Sequence, residues 1–333
     1  MGKAPTGPVP VVVMGLGFIG QQIARAAASN EEVELVGAVD FSPSLAGKKL
    51  SEVARVPSDK VVIARDLEAA LGRRRGVVVL HATQSRLPQV MEQLLSACDA
   101  GVSVVSTCEE LAFPWLKHPA LAEKLDRAAQ KAGVSVLGTG VNPGFVLDRL
   151  VATLGHALGK VRRVSASRVV DARTRREALQ RKVGAGMTED EFLKLVDEDQ
   201  LGHVGLTESA ALCALGLGLD CDDFEEEIVP VIADEDITGG AFVVKKGKVA
   251  GIHQTAVGFD DGQERVRLEL TIALGAESPA DRIEIESDST LSMVIPGGIM
   301  GDQATANLVV NAAPRLSAAE AGLLTVLELP AGR

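Results

Sequence analysis

Two glutamates stand side by side at Glu109 and Glu110, directly after the apolar run VSVVST at 102–107. A carboxylate at the mouth of such a strand can neutralise a cationic nitrogen, hold an ammonium group and accept a proton from incoming ammonia. A plainer reading makes the pair the acidic first turn of a helix, stabilised by its dipole. Pro114 interrupts that helix soon after, which weakens this alternative. Reduction of a carbonyl would ask for something else, an acid or a metal beside the developing oxyanion. The chain has no tyrosine. Its four cysteines, Cys98, Cys108, Cys213 and Cys221, make no C-x-x-C pair, so no metal site is expected. The residue types suit carbon–nitrogen oxidoreduction better than carbon–oxygen, although His81 could serve a carbonyl.

A second constellation is Gly15-Leu16-Gly17-Phe18-Ile19-Gly20, placed directly after the apolar run Val9–Met14 and opening a helical stretch. Alone a G-x-G-x-x-G is weak; between strand and helix it is informative. Gly15 allows the tight turn, Gly17 lets a pyrophosphate approach the backbone, and Gly20 lets helix and strand pack closely. The helix N-terminus, at Phe18 and Ile19, offers free N–H groups to the phosphates. Asp40 follows Gly20 by twenty positions, at the end of the second strand. Its carboxylate can accept both ribose hydroxyls, which favours NAD, or can cap a turn. Ser42, Ser44, Lys48 and Lys49 could instead compensate a 2′-phosphate, so the choice between NAD and NADP stays open.

Other strand ends are polar. His81-Ala82-Thr83-Gln84-Ser85 follows GVVVL and should lie along the cofactor near the nicotinamide ribose. Thr107 precedes Cys108, which reads as packing because no partner histidine is identifiable. A loop with three glycines and a proline, Gly138 to Phe145, joins two regions of the chain, and its Asn142 could face the cofactor.

These residues need elements to hold them. With 333 residues the chain is long enough for about two domains. Strand-like runs alternate with helical ones: 9–14, helix 18–29, 34–40, helix 66–72, 76–82, helix 87–100, 102–107, helix 119–132 and 134–138. That rhythm means parallel strands with crossover helices, and the nearly wholly apolar strands mean burial on both faces. After about residue 145 the rhythm changes to helices at 146–158, 188–198 and 206–217. Strand-like segments stand at 161–171 and from 226 to 294, with turn signals at Lys246-Gly247 and Asp261-Gly262. A long Ala/Val helix begins at Gly301. The expected fold is α/β: a Rossmann-type doubly wound domain over 1–145, an α+β domain with a mostly antiparallel sheet over 146–300, and a C-terminal helix over 301–333 returning to the first.

Composition excludes several functions. Lys plus Arg total 34 against 45 Asp plus Glu, a net charge of −11. Such a chain repels a phosphate backbone, so nucleic acid is not an expected partner. No run of 18 apolar residues is present, and MGKAPTGPVP lacks the apolar core of a signal peptide. A reduced, cytoplasmic protein is the expectation.

The chain resembles the 2,4-diaminopentanoate dehydrogenase family and its relatives, the native amine dehydrogenases, distant kin of dihydrodipicolinate reductase. The resemblance rests on VMGLGFIGQQIAR, HATQSRLPQV, STCEEL, GTGVNPGFVLDRL, RVVDARTRREALQRKVGAGMTEDEF, GHVGLTES and GDQATANLVVNAAPRL, which run from about residue 10 to 330. It implies NAD(P)H-dependent reductive amination of a ketone or aldehyde with ammonia, and the reverse deamination. A catalytic glutamate is implied in STCEEL: Glu109 first, Glu110 as the adjacent alternative. Phe145 is implied as a pocket wall, His203 as a residue of the substrate cleft on the second domain's side, and Thr305 and Asn307 as neighbours of that cleft. A homodimer is implied as well.

The cyclic-dicarboxylate reductases among these kin carry a paired-histidine and lysine segment that this chain lacks, which disfavours dihydrodipicolinate reduction. An amino-acid substrate would need a cation for its carboxylate. Arg168 heads a basic run with Arg173, Arg175, Arg176, Arg181 and Lys182, whose plainer reading is a solvated surface. If one of these faces the substrate, the substrate carries an acid group; if none does, a plain aliphatic amine fits. A homoserine-type carbon–oxygen dehydrogenase and a non-catalytic nucleotide sensor are the rival readings.

Overall fold

The structure is a computed structural model that describes residues 7–330. The leader reading at the N-terminus falls largely on residues 1–6, outside the described residues. The chain divides into two compact units, one running to Phe145 and resuming at Met300, the other spanning Val146–Ile299.

The first unit is built on β1 (Val9–Met14), α1 (Phe18–Ala28), β2 (Val33–Val39), α2 (Leu50–Ala54), β3 (Ile63–Ala64), α3 (Leu67–Leu71), β4 (Val78–His81), α4 (Leu87–Asp99), β5 (Ser103–Ser106), α5 (Pro119–Ala132) and β6 (Ser135–Gly138). With β13 (Gly322–Leu324) from near the end of the chain, its seven strands pair in the order β13-β6-β5-β4-β1-β2-β3, all parallel. Strand β13 lies on the edge beside β6. The order reverses at β1, which pairs with β2 on one side and β4 on the other, and ligands bind outside the strand ends at such a switch point.

Apolar side chains on both faces make this sheet. Val12, Met14 and Val79 pack with Leu87, Val90 and Leu94 of α4 and Leu125 of α5. Each of these four helical side chains is fully buried, and a buried aliphatic contributes roughly 1.5–3 kcal/mol. Elsewhere on the sheet α1 packs against α10 (Gly301–Leu316), which also lies along β4 and β5. Ile23, Ala24, Val309 and Val310 are buried there.

The second unit holds α6 (Arg149–Gly155), β7 (Arg163–Asp171), α7 (Glu177–Lys182), α8 (Glu189–Asp197), α9 (Leu206–Leu217), β8 (Asp223–Ile232), β9 (Val249–Asp260), β10 (Gln263–Ala273), β11 (Ala280–Glu286) and β12 (Thr290–Pro296). Its six-stranded sheet runs β12-β11-β7-β10-β9-β8. Only β10 and β7 pair in parallel; the other pairs are antiparallel. Both Asp261 and Gly262 have positive φ, 48° and 74°, the two-residue turn whose twist matches a hairpin, here β9 to β10.

The expected α/β architecture is the one the chain adopts. Local differences have physical reasons. Residues 241–248 were expected to be strand-like but make only an isolated bridge between Ile237 and Val244, and the strand starts at Val249 after the Lys246-Gly247 turn. The helix expected from residue 146 starts at Arg149, where the Asp148 side chain accepts the Arg149 N–H.

Candidate active site

Main-chain hydrogen bonds stitch the carboxyl ends of five strands into one ledge. Gly15 N–H donates to Val39, Ala82 to Met14, Thr107 to His81 and Thr139 to Ser106, each at 2.8–2.9 Å. The strand-end candidates of the first unit therefore stand along one edge, in the order β2, β1, β4, β5, β6.

The glycine turn has the shape a dinucleotide requires. Gly15 sits at φ +88°, and a Cβ there would meet the Ala82 carbonyl oxygen at 2.4 Å and the Thr83 methyl at 2.9 Å. A Cβ on Gly20 would fall 1.7 Å from the Gly15 oxygen, so helix and turn close only over hydrogen. Gly17, the N-cap of α1, is different: nothing lies within 4 Å of its Cβ position. The surface above it is open, where a pyrophosphate would come close to the backbone N–H groups of Phe18 and Ile19. Phe18 is exposed and Ile19 partly so. Each oxygen of Asp40 takes one backbone N–H, from Leu16 at 2.7 Å and from Ser42 at 2.8 Å. Asp40 thus ties the glycine turn to the end of β2, and a carboxylate with two such bonds keeps lone pairs for ribose hydroxyls. The Ser42 and Ser44 hydroxyls bond one another at 2.8 Å.

The two glutamates differ sharply. Both lie in a single 3-10 turn, Glu109–Ala112, after β5. Glu110 is 2% exposed. Its Oε2 accepts the Leu87 N–H at 2.7 Å and faces His118 Nε2 at 3.0 Å, and its Oε1 pairs with Arg86 at 3.4 Å. Leu87 opens α4, whose N-cap Arg86 offers no side-chain cap, so Glu110 supplies the anion at that helix end. Glu110, the alternative to Glu109 in the sequence, is thus spent on groups of the protein. Glu109, in the same turn, is partly exposed.

The turn is held from below and beside. Glu110 N–H donates to the Ser85 carbonyl at 3.2 Å, and the Cys108 thiol donates to the same oxygen. A Cβ on Gly138 would strike the Leu111 carbon at 2.4 Å, so β6 ends in the residue that lets the turn sit on it. Burial, with the negative charge of Glu109 adding to it, pushes the Cys108 thiol far above its ordinary pKa, so it is packing and not a nucleophile.

His81 also departs from expectation. It is 1% exposed, with Nδ1 2.7 Å from the Ser106 hydroxyl and Nε2 2.7 Å from Gln93 Oε1. Thr83 turns its hydroxyl to the same Gln93 oxygen at 2.8 Å. The ring is spent on neighbours within the protein rather than on a cofactor.

The loop 138–145 returns over β6. Gly144, at φ +121°, packs onto Gly140, and Asn142, buried, is joined to Pro143 by a cis peptide bond. The Thr305 hydroxyl of α10 accepts the Val141 N–H at 3.1 Å, which ties α10 to this loop. Phe145 at its end is half-buried. Asn307 lies elsewhere. It is exposed and lines a groove with Ala26, Ser29 and Asn30 at the far end of α1, beside the Asn30–Asn311 hydrogen bond. That corrects the expectation of a place near the substrate: Asn307 projects from α10 toward the end of α1 opposite the glycine turn.

Arg168 and His203 belong to the second unit. Arg168 is 5% exposed and pairs with Asp281, its register partner on β11, at 3.1 Å, and it also donates to the Ile299 carbonyl. Asp281 in turn accepts the Ile299 N–H at 2.7 Å. Arg168 is a buried strand-to-strand ion pair, not a reader of a substrate carboxylate. Arg173 pairs with Asp171, and Arg181 pairs with Glu177 and lies over the Phe242 ring. His203 is half-buried, and its main chain is clamped on both sides by Gln254, whose Oε1 accepts the His203 N–H and whose Nε2 donates to the His203 carbonyl, each at 2.8 Å. Gln254 was missed from sequence, because an isolated polar residue within β9 carries no motif. No cluster of metal-ligating side chains is found among the described residues, and no helix among them is long and apolar enough to cross a membrane.

A glycine-rich turn at the switch point of a parallel sheet, with an acid pinned at the end of the second strand, defines a dinucleotide-dependent oxidoreductase of the dehydrogenase type. The profile of the 2,4-diaminopentanoate dehydrogenase C-terminal domain matches residues 145–333, and that of the dihydrodipicolinate reductase N-terminus matches residues 9–108. The 2,4-diaminopentanoate dehydrogenase of Acetoanaerobium sticklandii is 30% identical over 98% of this chain and 94% of its own. The chain belongs to the 2,4-diaminopentanoate dehydrogenase family. Among solved structures, the amine dehydrogenase from Mycobacterium smegmatis shares the fold with a TM-score of 0.85 at 23% identity, over 99% of this chain and 98% of that one. The biliverdin reductase of Synechocystis, solved with biliverdin and NADP+, matches with a TM-score of 0.58 at 15% identity, over 93% and 90%.

Proposed function

We propose that the protein is an NAD(P)H-dependent amine dehydrogenase, which aminates a small ketone or aldehyde with ammonia and deaminates the amine in reverse. The observation that carries this reading is the division of labour between the two glutamates. Glu110 is consumed by Leu87, Arg86 and His118, while Glu109 stands partly exposed on the ledge that holds the dinucleotide turn.

The open surface at Gly17, the α1 N-terminus and Asp40 would hold the dinucleotide, with Ala82, Thr83, Thr107 and Asn142 further along the ledge. When bound, that cofactor supplies hydride exchange with carbon. The rest is done by side chains. Ammonium gives a proton to Glu109 and adds to the carbonyl as ammonia; Glu109 returns that proton to the departing hydroxyl, water leaves, and the product is a cationic carbon–nitrogen double bond. Glu109, ionised again, holds that cation by its opposite charge. A carboxylate stabilises an iminium and opposes an oxyanion, which sets amine chemistry above alcohol chemistry. Phe145 is the apolar wall that excludes water.

Within this class a plain amine is the first substrate reading, since Arg168, Arg173 and Arg181 are committed to carboxylates of the protein. A diamino acid is the second, favoured by identity along nearly the whole chain to the Acetoanaerobium enzyme. The test is a screen of small ketones and aldehydes, with 2,4-diaminopentanoate in the reverse direction, following dihydropyridine absorbance with NADH and NADPH separately. Turnover that requires ammonia supports the proposal. Turnover without it points to a carbon–oxygen dehydrogenase.

A further inference from the structure

His81 is a buried titratable group that the chemistry above leaves without a part. It closes β4, while Ser106 closes the neighbouring β5 and Gln93 reaches in from α4. The hydrogen positions follow from the partners. Gln93 Oε1 can only accept, and it lies 2.7 Å from His81 Nε2. The Thr83 hydroxyl gives its hydrogen to the same Oε1, and its oxygen lies 2.8 Å from Nε2 as a second acceptor. Nε2 therefore carries the ring hydrogen. The groups bonded to the ring, Ser106, Gln93 and Thr83, are all neutral, and burial lowers the pKa of the imidazole with the hydrogen bond to Gln93 opposing it, so nothing at the ring favours a second hydrogen. Nδ1 is then a lone pair, and the Ser106 hydroxyl, 2.7 Å away, donates to it. That fixes the rotation of the hydroxyl and turns its lone pairs to the Cys108 N–H, which donates to Ser106 Oγ at 3.0 Å. Cys108 immediately precedes Glu109 and is the N-cap of the turn that carries it.

We propose that His81 is a positioning residue for Glu109: its Nδ1 lone pair orients the Ser106 hydroxyl, and that oxygen anchors the Cys108 N–H and so the start of the turn that presents the carboxylate. The inference rests on the reading of Glu109 as the catalytic group. The chain is directional. A hydrogen on Nδ1 would offer Ser106 Oγ a second N–H donor and would take from the hydroxyl hydrogen its acceptor in this network. The anchor acts together with three main-chain bonds, Thr107 N–H to His81, Glu110 N–H to Ser85 and Leu111 N–H to Cys108, and is the one that takes up the Cys108 N–H.

The test compares His81→Asn, His81→Gln, Ser106→Ala and Glu109→Gln. An asparagine oxygen stands near the place of Nδ1 and can accept the Ser106 hydrogen; a glutamine amide reaches the place of Nε2 and leaves that hydrogen without an acceptor. Three quantities are read: hydrogen exchange at the Cys108 amide, affinity for NADH or NADPH, and kcat against KM for the carbonyl. His81→Asn is expected to keep the Cys108 amide protected and kcat within a few-fold of the parent. His81→Gln and Ser106→Ala are expected to speed exchange at that amide and to lower kcat about 10- to 100-fold, the scale of a misplaced catalytic group, with cofactor affinity and KM little changed. Protection and kcat preserved in His81→Gln and Ser106→Ala would overturn the proposal. So would a loss in His81→Asn equal to that in His81→Gln, which would mean packing alone. If His81→Gln does not fold, Ser106→Ala, a deletion of one oxygen, decides through the same amide. An active Glu109→Gln would instead overturn the catalytic reading, and the exchange data would still judge the anchor.

Discussion

Glu109 and Glu110 are chemically identical neighbours, and their surroundings give them different work. Glu110 ends the N–H series of α4 from a distance, and its removal would leave the Leu87 N–H buried without an acceptor. Glu110→Ala is expected to cost about 1–3 kcal/mol of stability, read as a lower unfolding midpoint, with cofactor affinity falling only as far as the fold loosens. Cys108 gives a second check at this scale. Its thiol is held protonated by burial, so iodoacetamide at neutral pH is expected to leave turnover intact; rapid inactivation traced to Cys108 would contradict this. The sequence showed that a carboxylate pair stood at a strand mouth, because an acid after an apolar run is visible as a pattern. Which acid is buried was not legible. That depends on Arg86 and His118, brought to Glu110 by the fold. His81 was misjudged for the same reason: its partners Ser106 and Gln93 lie 25 and 12 residues away.

At the scale of elements, three glycines make separate demands on the β1–α1 turn and on β6. Gly17→Ala should leave the unfolding midpoint unchanged, since no protein atom lies within 4 Å of the new Cβ, yet weaken NADH or NADPH binding in a titration. Gly20→Ala, with a Cβ 1.7 Å from a carbonyl oxygen, should lower both. Gly138→Ala should push the 109–112 turn off its seat and depress kcat while cofactor binding persists, because the contact at 2.4 Å is with the Leu111 backbone and not with the glycine turn. The parallel strands were legible because burial on both faces makes them continuous apolar runs. The edge strands were harder. Strand β12 alternates exposed and half-buried residues with none fully buried, and β13 has three residues, too few to show a period. Within 226–294 the segments that became β8, β10 and β11 were legible as strands, and the Asp261-Gly262 turn signal marked the β9–β10 hairpin.

At the scale of the whole molecule, each unit has its own core and its own vulnerable point. In the second unit it is the Arg168–Asp281 pair, which also holds both backbone groups of Ile299 where the chain leaves the unit. Arg168→Ala would leave the Asp281 charge buried without its cation. The expected cost is about 3–5 kcal/mol, seen as early unfolding in a denaturant titration. A change confined to KM, with stability intact, would return Arg168 to the substrate. Fold class and the change of rhythm near residue 145 were visible in the order of elements. This ion pair was not, since its members are 113 residues apart and meet only through strand register.

The account depends on one carboxylate meeting a cationic carbon–nitrogen bond. The most direct measurement is ammonia-dependent oxidation of the reduced dinucleotide by Glu109→Gln, beside the parent and Glu110→Gln, with cofactor affinity determined for all three. The account predicts that Glu109→Gln binds cofactor like the parent and does not aminate, while Glu110→Gln aminates with a lower unfolding midpoint. Amination by Glu109→Gln at the parent's rate would contradict it.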